Sequence, residues 1–113
     1  MVRFDRQHLD QVLWNLCRNA WRFCRHEAGS IRLAASYPIS GDIVQLEVSD
    51  DGPGVVEALH AQLFEPFFTT ESTGTGLGLY IARELCDANG AALEYVETGQ
   101  GARFRISFTK EFM

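Results

Sequence analysis

Between Arg6 and Arg25 the apolar residues fall at three- and four-residue steps: Leu9, Val12, Leu13, Leu16, Cys17, Ala20, Phe23 and Cys24. On an α-helix that spacing gathers them into one continuous stripe, so the segment must lay a whole face against something else. Asp5 is placed to cap its start, and Gly29 follows its fading end. The next residues change period. Ile31 to Tyr37 and Ile43 to Ser49 read as two strands, joined by a hairpin connection through Pro38 to Asp42 with Ser40-Gly41 at its centre. A helix that needs cover, followed at once by paired strands, restricts the chain to a helix-on-sheet layer fold.

The rest of the chain repeats that logic. "DDGPGV" after the second strand is a loop. Val55 to Leu63 has room for a short helix, whereas Pro66, the Thr pairs and the glycines make Glu65 to Gly76 irregular. Leu77 to Asn89 is a second amphipathic helix, expected to bury Leu77, Ile81, Leu85 and Ala88 and to close on Gly90 as a left-handed C-terminal residue. Leu93 to Val96 and Arg103 to Phe108 alternate like a closing hairpin around "ETGQG". The expected architecture is α+β: a two-layer sandwich with helices covering one face of a mixed, mostly antiparallel sheet. At 113 residues this is one domain, spanning 1–113.

Composition narrows the function. The formal net charge is −5, from 15 acidic and 10 basic residues, with no basic tract. A nucleic-acid binder would cluster Lys and Arg to neutralise phosphates, so nucleic acid is not an expected partner. No apolar run approaches the roughly 18 residues of a membrane span, and no signal-like start is visible. Cys17, Cys24 and Cys86 make an odd count without CxxC spacing, which reads as buried thiols in a reducing compartment rather than a metal or disulfide site.

Three segments carry chemistry. On the first helix Asn15, Asn19 and Arg22 (i, i+4, i+7) form a polar stripe along the edge of the apolar face. Three solvated side chains would explain it; but amide oxygens are hard ligands for Mg²⁺, and a guanidinium is a forked phosphate donor. Next, Asp50-Asp51-Gly52-Pro53-Gly54 puts a carboxylate at a strand end before two glycines. It is either an ordinary Asp/Gly/Pro turn or an acceptor for an amino group on a flat ligand that approaches bare backbone. Third, Gly74-Thr75-Gly76-Leu77-Gly78-Leu79 runs into the second helix. Its GxGxG spacing follows a loop rather than a strand, and no Lys follows the glycines, so neither a dinucleotide turn nor a P-loop fits. Glycines beside a helix N-terminus still offer N–H groups and a positive dipole end to an anion. The long loop before them could move as a flap.

Taken together, NxxxNAxR, then DxGxG, then "FEPFF", then "GTGLGL" form an ordered set over nearly the whole chain. The chain resembles the catalytic and ATP-binding (HATPase) domain of a bacterial two-component sensor histidine kinase. That domain belongs to the GHKL superfamily, with gyrase, Hsp90 and MutL ATPases, and has the Bergerat fold. "NLCRNA" resembles the N box, "DDGPG" the G1 box, "FEPFF" the F box, "GTGLGL" the G2 box and "GQGARFRI" the closing segment. "QVLWNLCRNAWRFC" with "FEPFFTT" is similar to kinases of the NtrB and PilS type, which work with NtrC-like activators.

The resemblance implies that Asn19 ligates Mg²⁺ on the ATP phosphates with support from Asn15, and that Arg22 lies near those phosphates. Phe23 would lie against adenine, and Asp50 would accept from its amino group with Gly52 and Gly54 allowing the approach. Val55 to Thr75 would form an ATP lid anchored by burial of Phe64, Phe67 and Phe68. Gly74, Thr75, Gly76, Leu77 and Gly78 would give phosphate contacts at the start of the second helix. The implied activity is supply of the γ-phosphoryl to a histidine on a separate dimerisation domain and, through it, to a response regulator. Where the superfamily's ATPases carry a Glu that activates water, four residues before the Mg²⁺-binding Asn, Asn15 stands, which favours transfer over hydrolysis. His8, His26 and His60 lack the acceptor context and read as surface or capping residues, so neither acceptor nor base is expected on this chain. The resemblance further implies a monomeric, slightly N-trimmed cytoplasmic fragment without membrane contact, its parent kinase able to sit in the inner membrane.

Two departures leave other readings open. Glu71 stands where the family often has a basic residue, and would be repelled by three phosphates. Ala102 stands where a Thr often orients the G1-box Asp. A degenerate nucleotide-binding or docking module, or a stand-alone ATPase or serine kinase of the same fold, are the alternatives. Trp14 and Trp21 (i, i+7) are expected to finish the core, the alternative being a docking patch for the helical domain.

Overall fold

The computed structural model describes residues 4–36, 43–68 and 76–109. Helix α1 spans Arg6–Phe23, strand β1 Ile31–Ser36 and strand β2 Ile43–Asp50. After a 3-10 helix at Glu57–Gln62 come helix α2, Gly78–Ala88, and strands β3, Ala92–Tyr95, and β4, Arg103–Thr109. The four strands lie in the order β1-β2-β4-β3. Every pairing among the described residues is antiparallel, where a mixed sheet is expected.

Asp5 caps α1 as its position predicts, its side chain accepting from the His8 N–H at 3.0 Å. That N–H holds the Asp5 carboxyl below the usual carboxylate range, opposed by a smaller effect of burial. The stripe then packs down: Val12, Leu16 and Ala20 are buried. On the sheet, Val44 and Val48 of β2 stand opposite Phe108 and Phe104 of β4, and Leu46 opposite Ile106. These period-2 residues form the face on which the helices lie. The opposite face is polar, and Arg105 there reaches Glu47 directly across the ladder at 2.7 Å and Glu94 of β3 at 3.6 Å. One face apolar and one polar is why the helices cover a single side.

Helix α2 differs from the sequence expectation. Its buried residues are Ala82 and Cys86, whereas Ile81 is 38% exposed and Ala88 is exposed. Ala82 and Cys86 (i, i+4) form a narrow small-residue seam that lets α2 approach α1 and the sheet closely. Gly90 closes the helix with φ +70°, in the left-handed region. Cys17, Cys24 and Cys86 are free thiols, Cys24 and Cys86 buried and Cys17 half-buried. Trp14 and Trp21 do not finish the core: they are 61% and 58% exposed. At 100° per residue both lie on the side of α1 away from the buried Val12, Leu16 and Ala20, and Trp21 stacks on His26 at 4.1 Å.

Candidate functional site

Two consecutive aspartates at the end of β2 have different tasks. Asp51 accepts from the Arg25 N–H and the Ser30 hydroxyl, both at 2.8 Å, and so fastens the turn after α1. The Arg25 N–H, chiefly, holds its carboxyl low. Asp50 is 7% exposed. Its carboxylate accepts from the Gly52 N–H at 2.8 Å and the Ala102 N–H at 3.4 Å, while its own N–H donates to the Ala102 carbonyl at 2.9 Å. Burial raises its pKa, those two N–H groups oppose the rise, and neighbouring Asp51 adds to it. Ala102 therefore orients Asp50 through its backbone, without the hydroxyl a Thr would bring.

The loop after Asp50 can come this close only because it lacks side chains. A Cβ on Gly52 would overlap the Phe23 carbonyl, and one on Gly101 would overlap the Asp50 carbonyl. Between α1, this loop, the 3-10 helix and the start of α2 lies a cavity of about 270 Å³. Asn19 and Phe23 enter it from α1, Gly54 from the loop, and Gly76, Gly78 and Leu79 from the start of α2. Ala102 and Phe104 close it from β4. The mixture is that of a small-molecule site: apolar walls with few polar groups, here beside a helix N-terminus whose first N–H groups have no partner within the helix.

The remaining sequence candidates are distributed as follows. Asp50 and Gly52 lie next to the cavity, Asp50 bonded to its lining residue Ala102. Leu77 stands between lining glycines as the N-cap residue of α2. Asn15 is buried, accepts from Gln11 at 3.1 Å and donates to the Gly78 carbonyl at 3.1 Å. It ties α1 to the first turn of α2. Arg22 is exposed and outside the cavity lining, because the helical turn that brings Phe23 in rotates Arg22 away. Phe64 packs edge-on to Phe104 at 6.1 Å and Phe68 lines the cavity. Phe67 is 73% exposed, against expectation, because its left-handed backbone (φ +67°) turns the ring outward while its N–H binds the Gly76 carbonyl at 2.9 Å. Gly74, Thr75 and Glu71 lie outside the described residues. Among the described residues, no group of three His, Cys, Asp or Glu could hold a metal ion.

Of the other lining residues, Val55, Val56, Leu59 and Leu63 fall in the stretch expected to form the lid, whereas no role at the site is expected for Phe104. Nothing in the side-chain types pointed to the backbone of Gly101 and Ala102.

Residues 4–111 match the family model for histidine kinase-, DNA gyrase B- and HSP90-like ATPases. This chain belongs to that family. It is similar to the sensor protein kinase PilS of Pseudomonas aeruginosa, 48% identical over 110 residues, which cover 95% of this chain and 21% of that protein. The sensory histidine kinase/phosphatase NtrB of Salmonella typhimurium is 35% identical, covering 90% of this chain and 32% of NtrB. The chain thus spans about a fifth of the length of PilS. Among solved structures, the catalytic domain of the histidine kinase ThkA superposes with a TM-score of 0.83 at 34% identity, covering 96% of this chain and 71% of that one. Full-length ShkA in complex with AMPPNP gives 0.74 at 39% identity, over 94% of this chain and 22% of that one. The expected resemblance to sensor-kinase ATP-binding domains and the α+β fold are borne out. No helix among the described residues is long and apolar enough to cross a membrane.

Proposed function

We propose that this domain binds Mg²⁺-ATP in the cavity between α1, the loop after β2 and the start of α2, and presents the γ-phosphoryl to a histidine on a helical dimerisation domain. The observation that carries the reading is Asp50. A buried carboxylate is fixed by two backbone N–H groups beside a cavity that glycines leave open, so its remaining acceptor positions can receive the amino group of adenine. Phe23 offers its ring from α1, Gly54 lets the base approach, and Gly76 and Gly78 bring bare backbone and a helix N-terminus to the phosphates.

The donor set fits Mg²⁺ held jointly with phosphate oxygens: Asn19 brings a hard amide oxygen into the cavity, and no cage of carboxylates is needed. Asn15 supports the site indirectly, since its amide is already bonded to Gln11 and Gly78. ATP supplies the transferable group and Mg²⁺ its charge neutralisation, so the protein's own work is binding, orientation and exclusion of water. At position 15 an amide rather than a carboxylate leaves no base for hydrolysis there, which favours transfer to an external acceptor. The partners on this reading are a dimerisation domain and a response regulator of the NtrC-like kind, in the cytoplasm.

The test is transfer of label from γ-labelled ATP to a histidine-bearing helical fragment of a related kinase, mixed with this chain. Label should reach the fragment, and Asn19→Ala should abolish it. Label absent with the wild-type chain, or retained by Asn19→Ala, contradicts the proposal.

A further inference from the structure

The cavity's outer wall is built by residues 55–63, where Val55, Val56, Leu59 and Leu63 face inward. Leu63 is the one buried residue of this wall, and Val56 is 66% exposed. The wall's 3-10 helix, Glu57–Gln62, contains no buried residue, and the backbone bonds of Leu59, Leu63 and Glu65 are local, to Val56, His60 and Gln62. Among the described residues its polar ties to the rest of the domain run to one place, the end of β3. The Tyr95 hydroxyl accepts from the Val55 N–H at 3.1 Å. His60 Nε2 lies 2.7 Å from the Val55 carbonyl, which can only accept, so the ring donates there. The same nitrogen lies 3.5 Å from the Glu97 carboxylate, and the His60 and Tyr95 rings are 4.6 Å apart.

Both backbone groups of Val55 are therefore gripped by side chains. Val55 follows Gly54, the glycine that lines the cavity with φ +75°, and a Cβ on Gly54 would come within 3.5 Å of the Tyr95 hydroxyl. Tyr95 also packs edge-on to Phe104, the cavity's inner wall, at 5.3 Å. One tyrosine touches both walls. Its hydroxyl stays protonated: burial pushes its pKa up, and Glu97 and Asp50 push the same way against the Val55 N–H.

We infer that Tyr95 and His60 are positioning residues for the nucleotide, clamping Val55 so that the loop after Gly54 and the apolar wall beyond it stay at the width the bound base requires. The inference rests on the nucleotide reading above. It makes affinity, rather than the chemical step, depend on the clamp. Tyr95→Phe keeps the ring and its packing on Phe104 while removing the acceptor for the Val55 N–H. His60→Ala removes the donor to the Val55 carbonyl, and His60→Gln restores an amide donor near the same place.

The experiment is calorimetric titration of the full chain and the three variants with Mg²⁺ and a non-hydrolysable ATP analogue. Urea unfolding without nucleotide and the KM and kcat of label transfer accompany it. Tyr95→Phe and His60→Ala should each weaken binding about three- to tenfold, the worth of one net hydrogen bond, and raise KM with kcat unchanged. His60→Gln should recover to within about twofold of wild type. Tyr95→Phe should lose no more stability in urea than that one hydrogen bond is worth, separating the clamp from a general structural role. Wild-type affinity in Tyr95→Phe, a loss of stability well beyond one hydrogen bond, or no rescue by His60→Gln overturns the clamp while leaving the nucleotide site standing. If the wild-type chain itself takes up no analogue, the nucleotide reading falls and the clamp with it.

Discussion

Gly101 gives the sharpest test of how the site is held together. It has φ +66°, and an added Cβ would overlap the Asp50 carbonyl oxygen, lie 2.9 Å from the carbonyl carbon and 3.2 Å from the Asp51 Cα. All three are backbone atoms, so no side-chain rotation relieves Gly101→Ala. The left-handed backbone costs an alanine about 1 kcal/mol. The closing turn must also retract from β2, loosening the 2.9 Å Asp50 N–H to Ala102 bond and the 3.4 Å Ala102 N–H to Asp50 bond. At about 1 kcal/mol net each, the total is about 3 kcal/mol. That is a large share of a domain's usual stability of about 5–15 kcal/mol, and corresponds to roughly 10 °C in Tm. Gly99 is the internal control: its φ is +76°, but a Cβ there meets nothing within 4 Å. Gly99→Ala should cost only the backbone strain, about 1 kcal/mol. Urea unfolding of both variants measures the difference. Gly101→Ala within about 0.5 kcal/mol of Gly99→Ala, below the worth of one hydrogen bond, would refute the close-approach argument.

Burial pushes the Cys86 thiol up to about 12, so at pH 8 it should not react with an aromatic disulfide until the domain unfolds, and fast labelling of Cys86 in the native chain would contradict its place in the helix seam. Asp50, raised by burial above the ordinary 3.8, binds its proton more tightly folded than unfolded. Its contribution to stability is therefore fully present below 3.8 and lost as pH rises through the raised folded value. Asp50→Asn lacks that loss, so its unfolding free energy should gain on wild type as pH rises through the acid range, and a parallel pair of pH profiles would count against the assignment. Trp14→Gln should change stability by less than about 0.5 kcal/mol, as befits an exposed residue; a cost of several kcal/mol in urea unfolding would return Trp14 to the core.

Much of this fold was written in hydrophobic period. The α1 stripe, the alternation of β2 and β4 and the left-handed Gly90 follow from local rules, and their boundaries fall within a residue or two of expectation. Helix α2 departs from its period because large apolar residues dominate the pattern, while the helix packs through Ala82 and Cys86. The Trp14 and Trp21 positions show the converse: size and apolarity do not bring a residue inside when helical phase turns it away from the buried line of α1.

In the site, side-chain motifs were legible and backbone contributions were not. Asn19, Phe23, Gly54, Gly76 and Gly78 meet at one cavity although they come from three separate segments. Asn15 is expected in a supporting place beside Asn19, and its bonds to Gln11 and Gly78 show the form that support takes, a brace between the helices. An amide has the same chemistry as ligand or brace, and only its neighbours decide. The N–H of Ala102 and the closeness of Gly101 depend on the closing turn folding back over residues about fifty positions earlier, which no local pattern encodes. The Val55 clamp is in part the same kind of feature, a backbone N–H held by the Tyr95 side chain from a distant strand.

The central claim is that Asp50 anchors a nucleotide site, and calorimetric titration of the chain with Mg²⁺ and a non-hydrolysable ATP analogue tests it most directly. The wild-type chain should bind one analogue, and Asp50→Asn should bind at least about tenfold more weakly, the worth of a charge-assisted hydrogen bond. No binding by wild type, or equal binding by Asp50→Asn, would contradict it.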